Sequence, residues 1–132
     1  MDDSSALQAQ ARKAIRRMFA TGYLHKLPKR RGDLELLLGL TTLQFQRQHE
    51  YSENEVNEIL KRWLALLSFR TATDHVTLRR FLVDLGYLKR DPPGNRYFAN
   101  YGNLADVPDI DLLADVTEIR DERRRKRCAN RP

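Results

Sequence analysis

Apolar side chains recur at helical spacing in five stretches of this chain and alternate with polar ones in one pair of short runs. In the first stretch Leu7, Ala11, Ala14, Ile15 and Met18 form one stripe, while Arg12, Lys13, Arg16 and Arg17 occupy the other faces. Ser4 or Ser5 suits the N-cap, and the pattern predicts a helix to about residues 21–22. Residues 23–32 (YLHKLPKRRG) read as a connector, because Pro28 disfavours helix at the residue before it. Asp33 is expected to open a second helix, DLELLLGLTTLQFQRQ, with apolar residues almost all round. Leu34, Leu37, Leu38 and Phe45 lie on one side, and Leu36, Leu40 and Leu43 on another. A helix apolar on both sides is buried on both. Either the N-terminal helix covers its second face, or the helix carrying Leu34 and Phe45 is the contact of a homodimer.

The third stretch, YSENEVNEILKRWLALL, has capping-box spacing at Ser52 and Glu55. Val56, Ile59, Leu60, Trp63, Leu64 and Leu67 mark its apolar face, and the start of its polar face is acidic. The fourth, DHVTLRRFLVDLG, opens on Thr73 or Asp74 as a cap and closes on Gly86, where a left-handed residue is expected. Leu78, Phe81, Leu82 and Leu85 are predicted to face the core, which turns Val76, Arg80 and Val83 outward, flanked by Arg79 and Asp84. The alternating runs YLKR and RYFA flank DPPGN and predict a hairpin. From about Asp109 a fifth helical pattern runs through Ile110, Leu113 and Val116, with an acidic start and a basic end that suit the helix dipole. Helix, turn, helix and β-ribbon is the order of a winged helix. The expected fold class is therefore mainly α with a small β-hairpin, a winged helix-turn-helix-like domain with helical extensions at both ends. Residues 1–26 form the N-terminal basic amphipathic helix, 27–101 the winged domain, and 102–132 the C-terminal helix and basic tail.

Charge changes this picture more by its placement than by its total. The chain of 132 residues has a net charge of +6. Residues 1–31 hold eight Lys/Arg against two Asp, whereas residues 32–101 hold nine basic and nine acidic groups. Residues 102–132 hold seven of each, split into an acidic part at 106–118 and a basic part at 120–131. Attraction to a polyanion would thus come mostly from the ends. Catalysis finds little support: His25, His49 and His75 lack metal-ligand spacing, and there is no glycine-rich phosphate loop. No catalytic residue, metal or cofactor is expected. A single cysteine, Cys128, the lack of a signal-peptide pattern and the lack of any apolar run long enough to span a membrane fit a cytoplasmic setting.

The middle of the chain resembles the bacterial domain of unknown function 2087. The resemblance rests on Leu27-Pro28 followed by basic residues, and on Tyr51-x-Glu53-x-Glu55-Val56-Asn57-Glu58-x-Leu60. It continues through Asp74-x-x-x-Leu78-Arg79-Arg80-x-Leu82-Val83-Asp84-x-Gly86-x-Leu88-x-Arg90 and Gly94-x-x-Tyr97, so it covers about residues 27–98. The link SFRTAT departs from the family in being longer than the usual spacing before the Asp. The resemblance implies a winged-helix-like fold and a regulatory context, because relatives often carry this domain beside helix-turn-helix transcriptional regulators.

Two functions fit this reading. In the first the protein binds nucleic acid, double-stranded DNA above all, as a transcription regulator. Val76, Arg79, Arg80 and Val83 would then enter the groove, and Lys89, Arg90 and Arg96 would hold phosphates from the wing. Arg123, Arg124, Arg125, Lys126 and Arg127 would add affinity that does not depend on sequence. In the second the same scaffold serves protein–protein contact or dimerisation without DNA. The neutral middle of the chain and the acidic start of the third helix favour that alternative.

Overall fold

The computed structural model describes residues 3–20, 27–67, 74–93, 96–104, 117–119, 121–122 and 125–126. The first part of the connector, the SFRTAT link, Gly94 of the hairpin turn, and Cys128 lie outside them, as does most of the C-terminal segment. Among the described residues the main helices are α1 (Asp3–Met18), α2 (Arg31–Thr42), α3 (Glu53–Leu67) and α4 (His75–Asp84). Three short strands accompany them, β1 (Tyr51–Ser52), β2 (Leu88–Arg90) and β3 (Arg96–Ala99), and a 3₁₀ turn at Tyr101–Leu104 follows. The strands form one antiparallel sheet in the order β1-β3-β2. Tyr51 pairs with Tyr97 on one side of β3, and Lys89 with Phe98 on the other. With α2, α3 and α4 this is the arrangement of a winged helix, with the β2–β3 hairpin as the wing.

β1 corrects the sequence reading, which began the third helix at Tyr51. A two-residue strand is too short to show alternation, and its existence depends on the edge that β3 offers. Ser52 then caps α3 as its spacing predicts: the Glu55 amide donates to Ser52 Oγ (3.2 Å) and the Ser52 amide to Glu55 Oε1 (3.1 Å). α2 differs at both ends. It starts at Arg31, with Asp33 inside its first turn, and stops at Thr42 instead of continuing to Gln48. Thr41 and Thr42 turn their hydroxyls onto the Leu37 and Leu38 carbonyls, and the amides of Gln44 and Phe45 close tight turns on Thr41 and Thr42. These turns return Phe45 to the core, edge-on to Tyr51 at 5.2 Å between ring centroids.

α1 covers the second face of α2, one of the two outcomes its all-round apolar pattern allowed. Ala11, Ile15 and Phe19 join Leu37, Leu38 and Leu40 in one cluster with α3, α4 and the sheet. Phe19, which the sequence stripe omitted, is fully buried. An ion pair fixes the contact: Arg17 Nη2 reaches buried Asp33 Oδ1 at 2.7 Å, and this hydrogen bond raises the Arg17 pKa. Residues 117–119 and 121–122 are helical and return to α1, where Ile119 is buried and Glu122 lies 3.4 Å from Arg16. Trp63 of α3 donates its indole N–H to Thr41 Oγ1 at 2.8 Å, so its buried polar atom is satisfied.

Candidate nucleic-acid interface

Local chemistry sets both ends of α4. Asp74 caps it, accepting the Thr77 amide at 2.7 Å. That bond, then the Thr77 hydroxyl, holds the Asp74 carboxyl below its ordinary pKa, with the charges of His75 and Arg80 adding to the effect. Gly86 ends the helix at φ 85°, in the left-handed region where glycine costs least. The Tyr87 amide bonds the Leu82 carbonyl (2.8 Å) and the Gly86 amide the Val83 carbonyl (3.2 Å), the two bonds of a Schellman cap. Asn100 ties the wing to this turn, its amide to the Tyr87 carbonyl (2.9 Å) and its Nδ2 to the Gly86 carbonyl (2.8 Å). Asn103 Nδ2 adds a bond to the Leu85 carbonyl at 3.2 Å. The wing is thus fixed to the end of α4 by backbone and amide bonds.

The face α4 turns outward is not the one its apolar spacing predicts. Leu78 and Leu82 are buried, but Phe81 is 37% and Leu85 41% exposed. Val83 instead packs partly against the core, and Val76 is half-buried. The helix is rotated so that Thr77 and Asp84 stand near the centre of the exposed face, with Arg80 on one flank and Phe81 and Leu85 on the other. The reason lies in Arg79. Its guanidinium is drawn to α3, where it bonds Asn57 Oδ1 and lies 3.4 Å from Glu53 Oε1, with only 17% of its side chain exposed. Tyr97 of β3 shares Glu53 through its hydroxyl at 3.4 Å.

The predicted interface residues therefore separate. Arg79 holds α4 to α3. Arg96 is exposed but paired with Glu50 at 2.9 Å. Arg80, Lys89 and Arg90 are exposed and make no salt bridge among the described residues. Arg125 and Lys126 are exposed and helical, and Arg123, Arg124 and Arg127 lie outside the described residues. Thr77 is outward though the sequence reading left it off this face, and Asp84, which that reading put on the flank, stands near its centre. The hundred-degree step could have found them once Val83, the more buried flank, was taken as part of the core.

Most acidic groups of the domain are already engaged. Glu53 serves Arg79, Glu50 serves Arg96, Asp33 serves Arg17 and Glu35 serves Arg31. Glu55 caps α3, and the Ser52 amide and hydroxyl lower its pKa. Among the described residues no three His, Cys, Asp or Glu side chains cluster as metal ligands, and no helix is long and apolar enough to cross a membrane.

Fold and exposed face together define a winged-helix module in which α4 keeps one face exposed and the wing exposes Lys89 and Arg90. Over residues 23–98, more than half its length, the chain matches the family model of domain of unknown function 2087, described as an uncharacterized protein conserved in bacteria. The chain belongs to that family. No curated protein and no solved structure matches it.

Proposed function

We propose that this protein binds nucleic acid through α4 and the wing, reads double-stranded DNA with the exposed face of α4, and serves as a transcription regulator. One observation carries the reading. Within a domain whose charges sum to zero, the acids are spent on internal pairs and caps, while Arg80, Lys89 and Arg90 remain exposed without salt bridges among the described residues. Net neutrality thus leaves exposed cations on each of the two elements that a winged helix presents to a duplex. Arg80 is the base-reading candidate, because a guanidinium can bond guanine O6 and N7 together. Lys89 and Arg90 at the wing base are the phosphate candidates, and Arg125 and Lys126 add attraction.

Fluorescence anisotropy with random and selected duplexes at two salt concentrations tests this. Arg80→Ala should lose discrimination worth about 1–3 kcal/mol, whereas the double change Lys89→Ala, Arg90→Ala should weaken all duplexes alike and flatten the salt slope. Duplex binding that ignores Arg80, or that is absent from the intact chain, overturns the reading. The alternative, a protein-interaction module, is favoured by the exposed Phe81–Leu85 edge of the same helix.

A further inference from the structure

α4 has a wider apolar stripe than the domain covers. Leu78 and Leu82 fill the core, whereas Phe81 and Leu85, four residues apart on the next strip of the helix, stay exposed. Leu85 also lines a cleft of about 420 Å³ together with Leu36 of α2 and Tyr87. Arg31 and Glu35, paired to each other at 2.9 Å, line it as well. The apolar edge therefore continues into a cleft of mixed lining, where Leu36 and Tyr87 stand beside Gly32 and Asn103. Beside that edge run two opposite charges, Arg80 and Asp84, also four residues apart and exposed.

This pattern is complementary to itself. When two copies of α4 lie antiparallel about a two-fold axis, each flank of one meets the same flank of the other in reverse order. Arg80 then stands level with the partner's Asp84, and Asp84 with the partner's Arg80. On the other flank Phe81 comes within about 3 Å of level with the partner's Leu85, close enough for its ring to reach the mouth of the partner's cleft. Charge order selects the occupant: a strongly acidic or basic partner would meet one matched and one like charge, whereas a second copy matches both. We propose that the Phe81–Leu85 edge is the contact of a two-fold homodimer in which Arg80 pairs with the partner's Asp84. Such a dimer occupies the outward face of α4, so on the nucleic-acid reading above it is a closed form that competes with the duplex. The contact itself does not depend on that reading.

Sedimentation equilibrium of the full chain at low salt, with far-UV circular dichroism to verify folding, tests the contact. The wild type should dimerise and Leu85→Glu should be monomeric. Arg80→Asp and Asp84→Arg should each weaken the dimer by at least about tenfold, since each places two like-charge pairs in the contact. The double reversal Arg80→Asp, Asp84→Arg should restore it. A wild type that stays monomeric at its highest soluble concentration overturns the proposal, as does a dimer indifferent to Leu85→Glu or a double reversal without rescue. Anisotropy on folded Leu85→Glu separates the two readings. Tighter duplex binding than wild type supports competition, while a confirmed dimer whose monomeric variant binds no duplex leaves the contact standing and removes the DNA reading.

Discussion

α3 and α4 are neighbouring amphipathic helices, yet the fold uses them differently. α3 buries Val56, Leu60, Trp63, Leu64 and Leu67, and its Glu53 and Asn57 hold Arg79. Its first turn is closed by Ser52 and Glu55. Leu66 is its one exposed large apolar residue. α4 buries only Leu78 and Leu82 and leaves Phe81, Leu85 and Arg80 to solvent. α3 therefore spends nearly all its large apolar residues on the core, whereas α4 is left with apolar surface and charge that folding does not consume. Material of that kind on a helix fixed at both ends, by Asp74 and by Gly86, is what a recognition surface requires.

The largest break in this comparison should come from matched truncations. Leu60→Ala on α3 empties a fully buried position and should cost about 2–5 kcal/mol in urea unfolding. Phe81→Ala on α4 should change stability by less than about 1 kcal/mol, as exposed positions do. Equal losses would mean that α4 is as deeply committed to the core as α3.

Arg79 sharpens the contrast within α4 itself. Arg79→Ala strands Asn57 and Glu53 and should cost about 1–2 kcal/mol of stability, while duplex discrimination measured on the folded variant stays intact. Arg80→Ala should do the reverse. A swapped outcome would mean that the helix turns about its axis when it meets its partner.

Gly86→Ala should cost about 1–2 kcal/mol, because a Cβ at φ 85° is strained, and it should loosen the wing that Asn100 anchors to that turn. Ser52→Ala should cost about 1 kcal/mol by opening the cap of α3. Both are read from denaturation midpoints.

The smallest effect should appear in acid. Glu55 and Asp74 have folded pKa values below their ordinary 4.5 and 3.8, mainly because the amides of Ser52 and Thr77 donate to their carboxylates. Their contribution is therefore complete above those values and is lost as pH falls through the lowered folded ones. Thermal scans below pH 4.5 should show Glu55→Gln and Asp74→Asn converging on the wild type, from a difference present at neutral pH.

Much of this architecture was legible along the chain. The box at Ser52, the cap at Asp74, the end at Gly86 and the wing around Asp91 are local devices. Each needs only a few neighbouring residues to form, and each appears where its spacing predicts. The family could also be recognised from the motifs between residues 27 and 98. Three features could not be read in this way. β1 exists because β3 supplies an edge for Tyr51. α2 ends at Thr42 because Phe45 has a place in the core beside Tyr51. The face of α4 that meets solvent follows from Arg79 reaching across 22 positions to Asn57 on α3.

The sequence by itself determined where α1 to α4 lie to within a turn or two, where the caps of α3 and α4 fall and how charge is divided along the chain, because those depend mostly on contacts within one or two turns. Only the tertiary structure decided which acids are consumed by pairing, and hence that Arg80, Lys89 and Arg90 are left exposed without salt bridges among the described residues. Ion pairs between elements and the rotation of a helix about its own axis depend on neighbours that are distant in sequence. A one-dimensional pattern counts such charges and apolar residues but does not pair them.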